Sequence, residues 1–195
     1  MSNSKDCFGN YENNNNSWHC LGCILEDECK VEKQKRNYAN QFSGRPDKDT
    51  YYLDIALAVA KRSTCLRRRY GAVIVKDDVI IATGYNGSPR GEVNCCDCGI
   101  CKRADKPRGE GYELCPAVHA EQNALLTVDR AHSQGATLYL ACEERYIAAD
   151  FESLKLKYGE WVEDRSPESC YLCNRMMKNA GIKRVVTRAG GHTWD

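Results

Sequence analysis

No stretch of this sequence stays apolar for anything near the roughly 20 residues that span a bilayer, and no charged-then-apolar leader opens it. A membrane protein or an exported one is therefore not expected, and the cytoplasm is the expected location. Charge of one sign is also missing. The 28 Lys and Arg stand against 27 Asp and Glu, a formal net of +1. That balance removes the field that draws a generic nucleic-acid binder to phosphate, so no nucleic-acid partner is expected beyond a local basic patch. No internal repeat is visible, so a repeat architecture is not expected. At 195 residues, with 42% hydrophobic and 28% charged, the chain has the size and mix of one globular domain plus a small appendage. A domain of that size removes about 70% of its unfolded surface from water and needs no covalent staples.

Cysteine, by contrast, is abundant. There are 13 in the chain, an odd number that no closed disulfide framework accommodates. Without an export signal, cysteines read first as metal ligands or reactive thiols. They also cluster: Cys20, Cys23 and Cys29 early, Cys95, Cys96, Cys98 and Cys101 in the middle, Cys170 and Cys173 late. Scattered core cysteines would not bunch in this way.

Residues 1–45 differ from the rest. They hold a polar tract from Asn13 to Asn16, a charged run from Lys30 to Arg36, and few large apolar residues, and they end at Gly44-Arg45-Pro46. They read as a cysteine-containing extension preceding a domain over 46–195. Asp47 or Asp49 is placed to cap a helix reaching about Ser63, with Leu53, Ala56, Leu57 and Ala60 as its buried stripe. Gly71–Val75 and Val79–Thr83 read as a hairpin around Lys76-Asp77-Asp78. A long loop over Gly84–Gly111, a helix over Ala117–Arg130 and a strand over Ala136–Cys142 follow. After a second excursion, Glu143–Pro167, come a helix over Cys170–Asn179 stopped by Gly181 and a strand over Ile182–Thr187. The order α, β, β, α, β, α, β points to an α/β layered domain.

Two short segments carry chemistry, each at an expected helix start: His119-Ala120-Glu121 and Cys170-Tyr171-Leu172-Cys173. Residues three apart share a helix face, and the electropositive helix N-terminus favours thiolates, so Cys170 and Cys173 suit zinc. With one imidazole from His119 they make three protein ligands and leave a tetrahedral position open, as in a catalytic site. Glu121 reaches that position only if the pocket lies at the helix end; there it serves as a general acid–base group. A lone C-x-x-C also reads as a redox pair or half of a structural zinc site. Histidine-x-glutamate followed by C-x-x-C, however, is the pattern of zinc nucleobase deaminases.

The stretch from about Asp49 to Val186 resembles the zinc-dependent deoxycytidylate (dCMP) deaminases of the cytidine/deoxycytidylate deaminase superfamily. The resemblance rests on Ser63-Thr64-Cys65-Leu66-Arg67-Arg68-Arg69, Gly71-Ala72-Val73-Ile74-Val75, Gly84-Tyr85-Asn86-Gly87-Ser88-Pro89-Arg90-Gly91, His119-Ala120-Glu121-Gln122-Asn123-Ala124 and Asn179-Ala180-Gly181-Ile182. It implies a three-layer fold, a central mixed sheet with helices on both faces. It implies hydrolysis of dCMP to dUMP and ammonia, with catalytic zinc on His119, Cys170 and Cys173 and proton transfer by Glu121. It further implies that Asn86 meets the sugar hydroxyl, although a turn residue between Tyr85 and Gly87 is the plainer reading, and that the Ala120 N–H meets the base carbonyl. Arg67, Arg68, Arg69 and Arg90 are the candidates for the 5′-phosphate, a solvated charged face being the alternative.

The same resemblance implies a second, structural zinc on Cys65, Cys95, Cys101 and Cys115, with Cys96 and Cys98 as competitors. It also implies a homo-oligomer, a hexamer by likeness, under dCTP and dTTP control. The family places proline directly before its first C-x-x-C cysteine, whereas here Glu168 and Ser169 separate Pro167 from Cys170. Cys20, Cys23, Cys29, His19 and Cys7 read either as a third site or as free thiols. Two rival functions stand beside this one. The first is a zinc deaminase of another cytosine nucleoside, nucleotide or RNA base. The second is a non-catalytic cysteine-rich zinc-binding interaction module.

Overall fold

The computed structural model describes residues 31–32, 34–35, 44–107, 109–145, 160–164 and 166–194. The chain divides into two compact units, Met1–Arg45 and Pro46–Asp195. In the first, the described residues 31, 32, 34 and 35 are helical, and the cysteines at 7, 20, 23 and 29 and His19 lie outside the described residues.

In the second unit, helix α1 spans Lys48–Ala60 and strands β1 and β2 span Arg68–Lys76 and Val79–Tyr85. A short helix α2 at Cys95–Cys98 and a 3-10 turn at Tyr112–Leu114 break the long loop. Then come α3 (Ala120–Leu125), α4 (Arg130–Ser133), β3 (Thr137–Arg145), β4 (Trp161–Asp164), α5 (Tyr171–Asn179), β5 (Arg184–Thr187) and β6 (Gly190–Thr193). The strands form one mixed sheet in the order β2-β1-β3-β5-β6, with β4 also pairing with β3. Among the described residues only the β3–β5 pair is parallel.

The alternation of side chains along the strands separates two apolar layers. Ala72 and Ile74 of β1, Leu138 and Leu140 of β3 and Val185 of β5 face Ala120 and Ala124 of α3 and Cys173 and Met177 of α5. Their neighbours Val73, Val75, Tyr139, Ala141 and Val186 face Tyr52, Leu53 and Ala56 of α1 on the other side. The domain is thus an α/β sandwich with helices on both faces, and its central strands are near-continuous apolar runs because both faces are covered.

Local chemistry sets the element ends. Asp47 caps α1 by accepting from Thr50 N at 2.9 Å. The β1–β2 loop puts Asp77 and Asp78 at φ of 48° and 66°, the left-handed geometry of a two-residue hairpin that aspartate tolerates. Tyr52 Oη donates to the Asp78 carboxylate at 2.5 Å. Helix α5 stops where Gly181 turns left-handed at φ 81°, with Gly181 N donating to Lys178 O and Ile182 N to Met177 O, both at 3.0 Å.

Three sequence expectations are corrected. The helix expected over Ala117–Arg130 is two helices, α3 and α4. Thr127 Oγ1 donates back to Ala124 O at 2.8 Å and Asp129 accepts from His132 N at 2.9 Å, so side chains take over backbone partners and split the run. Strand β3 continues to Arg145 into the expected excursion, whose end carries β4; residues 146–159 lie outside the described residues. A sixth strand, β6, pairs with β5 over four exposed residues that no periodicity announces.

Two glycines permit the layers to close. A Cβ on Gly71 would stand 2.1 Å from Ala56 O and 2.4 Å from Ala60 N, and one on Gly84 would stand 2.3 Å from Ala120 O. Helices α1 and α3 therefore rest directly on strand backbone. Gly71→Ala is expected to lower unfolding free energy by about 2–4 kcal/mol in urea titrations. Gly44→Ala, with nothing within 4 Å of its Cβ, is expected to stay within about 0.5 kcal/mol.

A second expectation concerns pH. Arg184 Nη2 donates to Asp49 at 2.6 Å and Tyr139 Oη donates to it at 2.9 Å, a link between α1 and the sheet. The hydrogen bond from Arg184, aided by that of Tyr139 and opposed by burial, holds the Asp49 carboxyl below its ordinary 3.8. A depressed folded value stabilises above the unfolded value and is lost as pH falls through the folded one. Asp49→Ala should therefore destabilise at neutral pH, and its gap from the parent in urea midpoint should shrink as pH falls below 3.8.

Candidate metal and catalytic site

His119 is the N-cap of α3 and Cys170 the N-cap of α5. The two helices pack side by side on one face of the sheet, so their first turns meet. Gln122 Oε1 accepts from His119 N at 2.9 Å and fixes the entry to α3. Val118 and Gly87 exchange both backbone hydrogen bonds, at 2.8 and 3.1 Å, which ties that entry to the end of β2.

His119 Nδ1 lies 3.4 Å from Cys170 Sγ and 3.4 Å from Cys173 Sγ. Among the described residues these three make a group whose ligand atoms all lie within 4.8 Å of one another. Cys173 is buried and Cys170 and His119 half-buried. Hydrogen bonding from the Cys173 thiol, against burial and with help from His119 and the Cys173 backbone N–H, lowers the Cys170 thiol to about 4. A thiolate beside a second thiol and an imidazole, with no fourth protein donor in the group, fits zinc with an open position. The hydrogen bond with Cys170 raises the His119 imidazole; burial and the positive charge of Arg103 oppose it.

Glu121 stands in the first turn of α3, only 3% exposed. Burial raises its carboxyl, and a hydrogen bond from Ser169 Oγ at 2.6 Å opposes that rise. Ser169 occupies the position directly before Cys170, where the resemblance led to expecting proline. The same short approach thus supplies a ligand and a donor to the carboxylate.

A cavity of about 390 Å³ opens over these groups, with His119, Glu121 and Cys170 in its wall. Ala120, Asn86, Arg67 and Arg68 line it as well; Arg69 and Arg90 are not among its lining residues. Arg69 instead stacks its guanidinium 3.8 Å from the Trp161 ring centroid, and Arg90 is exposed. Arg68 Nη2 donates to Glu144 at 2.5 Å. Asn86 is 8% exposed. Its Oδ1 accepts from Tyr70 N and Ser63 Oγ, each at 2.7 Å, and its Nδ2 donates to Arg68 O at 3.0 Å. Asn86 therefore clamps the approach to β1 against the end of β2 while lining the cavity.

Cys65 and Cys115 line the cavity too. Burial, and then the charges of Cys65, Cys115, Cys101 and Cys98, push the Cys95 thiol up. The expected quartet thus gathers around Cys95 without meeting the 4.8 Å mutual spacing of the first site. Cys96 hydrogen-bonds to Asp97 at 3.4 Å, and Cys142 is buried in β3. Reading the sequence missed Ser169, Arg103 and Tyr112, which also line the cavity. No motif marks them. Arg103 could have been suspected from its place two residues after Cys101.

The family model for the cytidine and deoxycytidylate deaminase zinc-binding region matches residues 46–189. The chain belongs to this family. It is 39% identical over 146 residues to the deoxycytidylate deaminase of Mycobacterium phage D29, covering 73% of this chain and 94% of that protein. It is 54% identical over 168 aligned positions to the deoxycytidylate deaminase of Enterobacteria phage T4, covering 67% of this chain and 85% of that protein. Its identity to the Schizosaccharomyces pombe deoxycytidylate deaminase is 44% over 155 residues, or 78% of this chain but 40% of that longer protein. Among the described residues no helix is long and apolar enough to cross a membrane.

A ligand set of one imidazole and two thiols makes a definite expectation. Cys173→Ser should lower zinc affinity by at least about 100-fold in chelator competition, because the thiolate at the buried vertex is replaced by a poorly ionised hydroxyl. Cys142→Ser should leave zinc affinity as it is.

Proposed function

We propose that this chain catalyses the hydrolytic deamination of dCMP to dUMP and ammonia, with zinc held by His119, Cys170 and Cys173. The observation that carries this reading is the convergence of those three donors beside a buried carboxylate in one cavity. The name shared by its phage relatives, most of whose length it spans, supports the choice of substrate. When bound there, zinc supplies a Lewis acid with a vacant position that lowers the pKa of a water. Glu121 moves both protons of the attacking water: it takes the first and delivers it to N3 of the ring, then takes the second from the hydroxyl added at C4 and delivers it to the departing amine, which leaves as ammonia. Ser169 orients the carboxylate through Oε1, so that its other oxygen is left for that work. The Ala120 N–H, in the first turn of α3, meets the base carbonyl. Asn86 meets the sugar hydroxyl with the amide hydrogen that Arg68 O does not take.

A second, structural zinc on Cys65, Cys95, Cys101 and Cys115 belongs to the same reading. It is supported by the mutual influence of these thiols around Cys95, and it would pin the loop after β2 to the approach to β1. Resemblance also supports residues 1–45 as an extension to a catalytic domain over 46–195. It likewise supports a homo-oligomeric, cytoplasmic enzyme under dCTP and dTTP control.

Glu121→Gln should retain zinc and lower kcat for dCMP by about 10²–10⁴-fold. Ser169→Ala should give a smaller loss, in kcat rather than KM, that Ser169→Thr restores. Ammonia release from dCMP, deoxycytidine, CMP and dCTP, measured side by side, checks the substrate; preference for any of the others contradicts it. Metal analysis should find two zinc ions per chain, falling to one in Cys101→Ser. One zinc in the parent chain removes the second site.

A further inference from the structure

We infer that Tyr112 is a positioning residue for His119: its ring, held by the guanidinium of Arg103, fixes the plane of the imidazole and so the direction in which Nδ1 is offered to the metal. This rests on the reading of His119, Cys170 and Cys173 as a zinc site and is independent of which nucleotide is the substrate. A metal-binding histidine is ordinarily oriented by a hydrogen bond from its second ring nitrogen to a carboxylate or a carbonyl. His119 makes both of its ring hydrogen-bond contacts through Nδ1, with Cys170 Sγ and Cys173 Sγ, and among the described residues Nε2 makes none. The carboxylate of Glu121, two residues on, is engaged by Ser169 instead. Packing therefore has to set the ring. The aromatic ring against it is that of Tyr112, with 5.4 Å between centroids and the planes inclined at 50°, a tilted geometry in which two aromatic rings attract.

Tyr112 is itself held at both its backbone and its ring. Gly111, left-handed at φ 67°, turns the cysteine-rich loop into the 3-10 turn Tyr112–Leu114. Leu114 N donates to Gly111 O and Cys115 N to Tyr112 O, both at 3.1 Å, so the backbone that carries the ring is fixed within the turn. The ring is held by Arg103, whose guanidinium lies 4.5 Å from its centroid. Arg103 is anchored in turn, because Arg67 Nη1 donates to its backbone carbonyl at 2.7 Å. A cation attracted to the face of a tyrosine resists swinging of that ring. Arg103, Tyr112 and His119 all lie in the wall of one cavity. The chain of contacts thus runs from Arg103 through Tyr112 to His119 and ends at the two thiols. Removing the ring leaves the half-buried imidazole free to turn and takes Nδ1 out of a preformed donor set.

The test is made on the full chain by chelator competition for zinc, taking the ion of this site as the one that Cys173→Ser loses. Tyr112→Leu, which keeps apolar bulk and removes the ring, should weaken binding of that ion by about 10- to 100-fold, the range for loss of a residue that orients a metal-binding histidine. Tyr112→Phe, which keeps the ring, should restore the parent affinity. Arg103→Met, which removes the cation, should cost about two- to fivefold, the worth of an exposed cation–π contact; it decides the matter if Tyr112→Leu does not fold. Cadmium-113 NMR of the cadmium-loaded chain supplies a signature that a general loss of stability does not move. The resonance that Cys173→Ser abolishes should shift in Tyr112→Leu and keep its parent position in Tyr112→Phe. Parent affinity in a folded Tyr112→Leu, or an equal loss in Tyr112→Phe, overturns the positioning role. A parent that holds no zinc at these three residues sinks the site and the inference together. Tyr112-dependent zinc binding in a chain that does not deaminate dCMP upholds the positioning role and sinks the proposed reaction instead.

Discussion

Everything at this site depends on two helix N-termini meeting over one face of the sheet. His119 caps α3 and Cys170 caps α5, so each of these donors is set by the geometry of a helix start and not by a free loop. Cys173, one turn in, belongs at once to the cluster of three donor side chains and to the apolar layer with Met177 and Ala124. Packing and ligation therefore constrain each other: the core that holds α3 and α5 on the sheet also holds the three donors together. Gly84, on which α3 sits without an intervening side chain, belongs to the same constraint.

The cavity wall has a different origin. It is built from connections, the approach to β1, the end of β2 and the cysteine-rich loop, which have little apolar surface to order them. Side-chain amides and hydroxyls order them instead. Asn86 uses both ends of its amide to hold Ser63, Tyr70 and Arg68 in place, and the Ser63 hydroxyl hydrogen is shared between Asn86 Oδ1 and the Asn86 backbone carbonyl, 2.8 Å away. Polar groups buried this way must be satisfied together, which makes such a wall specific in shape. Arg103, two residues after Cys101, lines this wall, and its backbone carbonyl accepts from Arg67 Nη1 at 2.7 Å.

The fold was legible in the sequence wherever hydrophobic period and turn chemistry agreed. The hairpin around Asp77-Asp78, the Asp47 cap and the Gly181 stop all express strong local rules. The single helix expected over Ala117–Arg130 failed because apolar spacing persists through Thr127 and Asp129, whose side chains compete for backbone partners. Strand β6, exposed along its length, has no pattern to read. At the site, His119, Glu121, Cys170 and Cys173 were legible because metal chemistry ties residue type to spacing. Arg67 and Arg68 could be named but not separated from Arg69, since what sets Arg69 apart is its contact with the Trp161 ring, a tertiary contact that no spacing encodes. Ser169 and Arg103 reach the cavity wall through tertiary position alone, and no spacing encodes that.

The central claim is that one imidazole and two thiolates hold zinc with a fourth position open beside Glu121. Anomalous diffraction from crystals of the zinc-loaded protein, collected at the zinc edge, tests it directly. The account predicts a peak bonded to His119 Nδ1, Cys170 Sγ and Cys173 Sγ at about 2.0–2.3 Å, with a light solvent atom completing the tetrahedron within hydrogen-bond reach of the Glu121 carboxylate. A site closed by a fourth side chain, or no zinc among these three residues, would contradict it.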